Sequence, residues 1–203
     1  GNRFIGQIAQ HVGTGLPGEN IHYVIEEEPL GVHHALNLAR PHVEGSRVLL
    51  YFSDNITTIE LTDAVDEFRN SVSPPGCALV GRNVEDPERF GVAVFDAEQR
   101  LVDIVEKPVN PPSSFAIGGI YLYDETFWTR LDAVVAEKGS NMSITDVNRT
   151  YVKEKSASII QSKDSLWIDC GTPDALFEAS QLAAQGKLSA EPCNARDDDP
   201  PLK

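Results

Sequence analysis

Large apolar residues stand in an unbroken row from Val48 to Phe52, within the stretch Arg47–Phe52. A strand with one wet face alternates apolar and polar residues. An unbroken run therefore predicts a strand covered on both faces. Its neighbours supply the cover. After Gly31, the residues Val32, Ala35, Leu36 and Ala39 fall at the spacing of one helix face. Leu61, Ala64, Val65 and Phe68 repeat it, and Cys77–Val80 is the next apolar run, behind the turn Pro74-Pro75-Gly76. Ile21–Ile25 reads as a further short strand. This alternation predicts an α/β sandwich with a mixed, mostly parallel sheet.

The second half reads differently. Gly91–Phe95 and Leu101–Val105 flank the polar connection Asp96–Arg100, a hairpin pattern. Phe115–Tyr123 is a long strand, Phe127, Leu131 and Val134 mark a helix, and Ala157–Ile160 and Leu166–Ile168 are short strands. Ser143 and Asp146 have capping-box spacing, and Thr172-Pro173 is a helix start. Residues 1–190 form one expected domain, and the Pro- and Asp-rich residues 191–203 an expected flexible acidic tail.

Bulk properties narrow the partners. The 203 residues suffice for a core without staples. A net charge of −14 argues against nucleic acid or an anionic membrane as partner. Cys77, Cys170 and Cys193 are odd in number and widely spaced, unlike a disulfide framework or zinc site, so a reducing cytoplasm is expected.

Two aspartates stand out. Asp54 follows the buried run, and Asp169 ends Ser165–Asp169 before Cys170-Gly171-Thr172. Ligands of open α/β sheets bind beyond the carboxyl ends of strands. A carboxylate there suits Mg²⁺, which needs one or two carboxylates plus substrate phosphates. The same position suits an aspartate that merely caps a turn, and position alone leaves both open. Lys107 ends another strand, where it can hold a phosphate or simply face solvent. Gly13–Gly18 matches G-x-G-x-x-G in letters, but it follows a helix-like stretch and contains Pro17, so it is no dinucleotide fingerprint. His33 and His34 are adjacent and point about 100° apart on a helix, as packing or surface residues do.

Six stretches in order carry a resemblance: Tyr23–Gly31, Leu50–Asn55, Val84–Val92, Val105–Pro108, Ile144–Asn148 and Trp167–Thr172. Together they resemble the sugar-1-phosphate nucleotidylyltransferases, the glucose-1-phosphate thymidylyltransferases most closely, over residues 3–185. The resemblance implies a Rossmann-like α/β/α fold. It implies transfer of a nucleotidyl group from a nucleoside triphosphate, dTTP, to a sugar 1-phosphate, glucose 1-phosphate, with release of pyrophosphate. It also implies a homo-oligomer. Asp54 and Asp169 match the magnesium aspartates and Lys107 the lysine on the sugar phosphate. Glu106 and Gly91 match sugar-contacting positions, with Asn55 beside the first aspartate. Gly31 matches a glycine at the nucleotide, and Glu26 the position of a base-reading glutamine.

The chain also departs from the family pattern. It begins at Gly1 and holds no Gly-rich GGxGTRL loop, so the first βαβ part of the nucleotide site is expected to be missing and the 203 residues alone inactive. Ser53-Asp54-Asn55 replaces Gly-Asp-Asn, and Ser140–Asp146 lacks two glutamates. A carboxylate at Glu26 cannot donate to a base carbonyl unless protonated. These departures carry an alternative: a non-catalytic relative that binds sugar phosphate or nucleotide, or regulates an intact enzyme.

Overall fold

The structure is a computed structural model that describes residues 4–13, 20–71, 74–162 and 165–188. The 191–203 tail and most of the Gly13–Gly18 loop lie outside the described residues. The helices are α1 (Ile5–Val12), α2 (Val32–Val43), α3 (Leu61–Asn70), α4 (Phe127–Lys138), α5 (Ile144–Lys153) and α6 (Pro173–Ala184). The strands are β1 (Val48–Tyr51), β2 (Asn55–Thr57), β3 (Cys77–Asn83), β4 (Gly91–Phe95), β5 (Leu101–Glu106), β6 (Phe115–Tyr123), β7 (Ala157–Gln161) and β8 (Trp167–Asp169). None of these helices is long and apolar enough to cross a membrane.

β3 and β6 are covered on both faces, whereas β1, expected from its unbroken apolar run to be buried likewise, is only partly covered and leaves Leu49 41 % exposed. Successive strand residues face opposite sides. Cys77 and Leu79 of β3, with Tyr121 and Tyr123 of β6, join the core beneath α2, α4 and α5, which contribute Leu36, Leu131 and Val147. Ala78 and Val80, with Ile120 and Leu122, turn to the other face and pack with Phe68 of α3. β6 is buried along its whole length because it is covered from both sides. The result is the expected three-layer α/β/α sandwich.

The strand directions correct the expectation of a mostly parallel sheet. The order is β5-β4-β6-β3-β7, and β1 also pairs with β6. Among the described residues only β3 and β7 pair in parallel. β6 enters the middle antiparallel to β1, β3 and β4. The hairpin expected from Gly91–Phe95 and Leu101–Val105 forms as the antiparallel pair β4–β5. β2 and β8 form a separate antiparallel ribbon. Residues 21–25 are not a strand. A strand exists through a partner's hydrogen bonds, and this segment is exposed with no ladder among the described residues.

Local signals placed the helix starts. Thr172 accepts from the Ala175 N–H with Pro173 in the first turn. Ser143 and Asp146 form the capping box of α5. Burial raises the Asp146 pKa, but Lys138 and the Ser143 N–H together outweigh it, so the carboxyl lies below its usual range. A depressed carboxylate stabilises the fold above its unfolded pKa and loses that effect as pH falls through the folded value. Urea denaturation from pH 6 down to pH ~2 is expected to show stability falling below about pH 4. Asp146→Asn is expected to flatten part of that slope.

Candidate active site

The site begins with an opening in the sheet. Tyr121 opposes Leu79 and Ile117 opposes Gly81, so β6 spends Gly118, Gly119 and Ile120 where β3 spends only Val80. On its other edge, β6 pairs with β1 as far as Ile120 and with β4 only from Ile117. Gly118 and Gly119 lie in the gap between those two partners.

Asn55 spans this gap. Its carboxamide oxygen accepts the Gly119 N–H at 3.0 Å and the Trp167 indole N–H at 2.8 Å. Its amide nitrogen donates to Asp54 Oδ1 at 2.8 Å. Asn55 is 4 % exposed, so each of these bonds replaces lost water. A Cβ on Gly119 would stand 2.5 Å from Asn55 Nδ2, which is why glycine sits there. A Cβ on Gly118 would meet the Trp167 ring at 3.1 Å.

The β2–β8 ribbon gathers the two aspartates. Asn55 opposes Asp169, and the Cys170 N–H donates to the Asp54 carbonyl at 2.7 Å. The two backbones thus run side by side although 115 residues apart in sequence (169 − 54). Asp54 is exposed and Asp169 half-buried. Asp169 Oδ1 accepts the Gly171 N–H at 3.0 Å and lies 4.0 Å from the Arg89 guanidinium. The second oxygen of each aspartate takes no hydrogen bond among the described residues. Two hard oxygen donors of this kind fit Mg²⁺, which completes its shell with water and phosphate. No group of three or more metal-type side chains forms among the described residues.

The β4–β5 hairpin forms a second wall. Gly91 opposes Glu106. The Thr145 hydroxyl donates to Glu106 Oε2 at 2.5 Å, and a Cβ on Gly91 would stand 3.3 Å from both atoms. Lys107 follows at φ +44°, in the left-handed region, with its N–H on the Phe90 carbonyl at 2.9 Å. A residue before proline ordinarily stays extended. Such a backbone costs ~1–3 kcal/mol and concentrates at functional sites. The walls meet where the Phe90 and Trp167 rings tilt together at 5.3 Å. A groove of about 660 Å³ runs from Arg82 past Arg89 and Phe90 to Asp169. A larger hollow of about 1230 Å³, between the Asp96–Arg100 turn and β7, holds none of the candidate residues.

Gly31 stands at the start of α2, and Glu26 precedes it in the chain. Gly31, at φ +99°, opens α2, and its Cβ position is 3.9 Å from the Ser140 carbonyl. Glu26 Oε1 is 2.9 Å from His34 Nδ1. No hydrogen bond or ion pair joins either residue to Asp54 or Asp169 among the described residues.

Several residues at the site were given no role by the sequence. Trp167 and Thr145 fall within the family stretches Trp167–Thr172 and Ile144–Asn148 but were not singled out there. Tyr121 is buried, with its ring edge-on to Phe52 at 5.9 Å. Burial raises its pKa, and the charge of Glu106 raises it further.

A family model described as nucleotidyl transferase matches residues 6–186. The chain belongs to the nucleotidyl transferase family. Among curated relatives, the chain is 34 % identical over 167 residues to a glucose-1-phosphate thymidylyltransferase of Xanthomonas campestris pv. campestris, covering 81 % of this chain and 56 % of that protein. It is 28 % identical over 170 residues to the low-salt glycan biosynthesis nucleotidyltransferase of Haloferax volcanii, covering 84 % and 47 %. The chain thus spans about half the length of the curated relatives it matches. A solved structure described as a glucose-1-phosphate thymidylyltransferase from Bacillus anthracis, in complex with sucrose, superposes with a TM-score of 0.79 at 31 % identity, over 88 % of this chain and 72 % of that one. A UDP-glucose pyrophosphorylase complexed with UDP-glucose shares the fold, with a TM-score of 0.64 at 20 % identity, over 81 % and 66 %.

Within this nucleotidyl transferase fold the Asn55 tether is open to direct test. Asn55→Leu leaves the Gly119 N–H and Trp167 indole without a partner, and is expected to cost about 2–4 kcal/mol in urea unfolding. A shift of Trp167 emission should accompany the loss.

Proposed function

We propose that the protein carrying this chain transfers a nucleotidyl group from a nucleoside triphosphate to a sugar 1-phosphate and releases pyrophosphate. The observation that carries this reading is the pairing of Asn55 with Asp169 across β2–β8, which sets Asp54 and Asp169 together at the opening in the sheet. The thymidylyltransferase relatives support dTTP and glucose 1-phosphate as the substrates.

In this reading the sugar phosphate oxygen attacks the α-phosphorus in line, and catalysis is positioning and charge neutralisation. Lys107 holds the sugar phosphate against the repulsion of the triphosphate. Its left-handed backbone follows Glu106 directly, so the ammonium and the carboxylate reach one substrate from one strand end. Glu106, fixed by Thr145, accepts from sugar hydroxyls beside Gly91. Asp54 and Asp169 hold Mg²⁺, which when bound neutralises the phosphate oxygens. Glu26 and Gly31 face the nucleotide. The free thiols of Cys77 and Cys170 accord with a reducing cytoplasm, and the reading includes a homo-oligomer.

A second reading rests on Glu26. Its carboxylate only accepts, and His34 already engages it, so it makes a poor reader of a thymine or uracil carbonyl. A binding or regulatory relative with this change would hold sugar phosphate without turnover.

Pyrophosphate release from dTTP or UTP with glucose 1-phosphate and Mg²⁺ separates the two. Turnover is expected of the whole protein that carries this chain and not of the 203 residues alone, with Asp169→Asn losing at least about 100-fold in kcat and Lys107→Ala raising KM for the sugar phosphate. Binding of glucose 1-phosphate with no pyrophosphate release from either nucleotide selects the second reading. Unchanged turnover in Asp169→Asn removes Asp169 from the metal site.

A further inference from the structure

Glu106 is a flexible side chain at the end of an edge strand, yet one of its oxygens sits 2.5 Å from the Thr145 hydroxyl. That contact depends on where α5 lies. The helix is held on its core side by a buried bond, in which the Tyr123 hydroxyl donates to Asn148 Oδ1 at 2.6 Å. Val147, Tyr151 and Val152 are buried beside it and the Tyr151 hydroxyl donates to Asp124, so the helix is firmly seated on the core.

A second attachment lies at the sheet edge. Arg149 stands one helical turn beyond Thr145, so both share a helix face. Its Nε donates to Asp103 Oδ1 at 2.8 Å and its Nη2 to Oδ2 at 3.0 Å, a two-pronged fork on β5. Asp103 and Glu106 belong to the same strand. Helix and strand are therefore cross-tied at two rungs, Arg149–Asp103 and Thr145–Glu106. Both partners of the fork are 37 % exposed. Exposed ion pairs contribute little to stability, but a planar fork fixes direction.

We propose that Arg149 and Asp103 are positioning residues. Their fork holds the edge strand β5 against the seated α5 and so keeps Glu106 on the Thr145 hydroxyl, with that carboxylate turned toward Gly91 for a sugar. Neither residue touches the substrate. The proposal deepens the sugar 1-phosphate reading of Glu106 and rests on it.

The test is binding of glucose 1-phosphate to the full chain, followed by amide NMR. Arg149→Gln is expected to weaken binding about fivefold, the effect of losing one half-exposed fork. The exchanged pair Asp103→Arg with Arg149→Asp is expected to return binding to within about twofold. In a Thr145→Val background, Arg149→Gln is expected to change binding by less than about twofold, because the fork acts through Thr145. A full fivefold loss in that background overturns the proposal, as does unaltered binding in Arg149→Gln. The amide signals of Gly91 and Glu106 give a readout without ligand: Arg149→Gln must shift them, and the proposal fails if they stay in place. If glucose 1-phosphate moves no signal of the unaltered chain, the sugar reading fails, and those two amide signals alone decide the role of the fork.

Discussion

One buried carboxamide joins the parts of this molecule. The sheet splits where β1 stops and β4 starts, and a split sheet exposes backbone donors that must be paired. Asn55 pairs one with its oxygen, fixes Trp167 with the same atom, and points its amide at Asp54. The carboxamide suits this place because it accepts twice on one atom and donates on the other. An aspartate there would bring an uncompensated buried charge, and a leucine would bring nothing for the donors. The β2–β8 ribbon, the Trp167–Phe90 contact and the orientation of Asp54 all depend on that group.

The two walls of the site are built on different physical terms. The aspartates are gathered by a backbone ladder, whose geometry varies little. Glu106 and Lys107 end an edge strand, where nothing in the ladder fixes a side chain. There the fold uses side-chain contacts from α5 and a left-handed backbone at Lys107. The strain at Lys107 is borne by the structure around it. Pro108 is buried behind it, and the Lys107 N–H donates to the Phe90 carbonyl.

What was legible in the sequence follows from range. The caps at Ser143 and Thr172 could be read because capping chemistry is complete within a few residues. The unbroken run Val48–Phe52 announced cover on two sides, but β1 is only partly covered: Val48 and Leu50 pack on the core while Leu49 stays 41 % exposed. Direction was not legible: no local pattern says that β6 will insert antiparallel between β1 and β3. Residues 21–25 have strand chemistry but no strand to join among the described residues. Asp54, Asp169, Glu106 and Lys107 were found because they follow apolar runs or fall within family stretches. Asn55 was noticed only as a neighbour of Asp54, since its partners Gly119 and Trp167 lie 64 and 112 residues away.

That separation bears on how the chain acquires its site. β2 and β8 cannot pair until the intervening chain, 114 residues from Asn55 to Asp169, has closed into a loop. Closing so long a loop is entropically slow when the chain is unstructured. The main sheet lies within that interval and shortens it, since β6 and β3 bring distant residues together first. The aspartates therefore meet late in folding, on a sheet already formed. During synthesis on the ribosome they remain apart until residue 169 has emerged, long after Asp54.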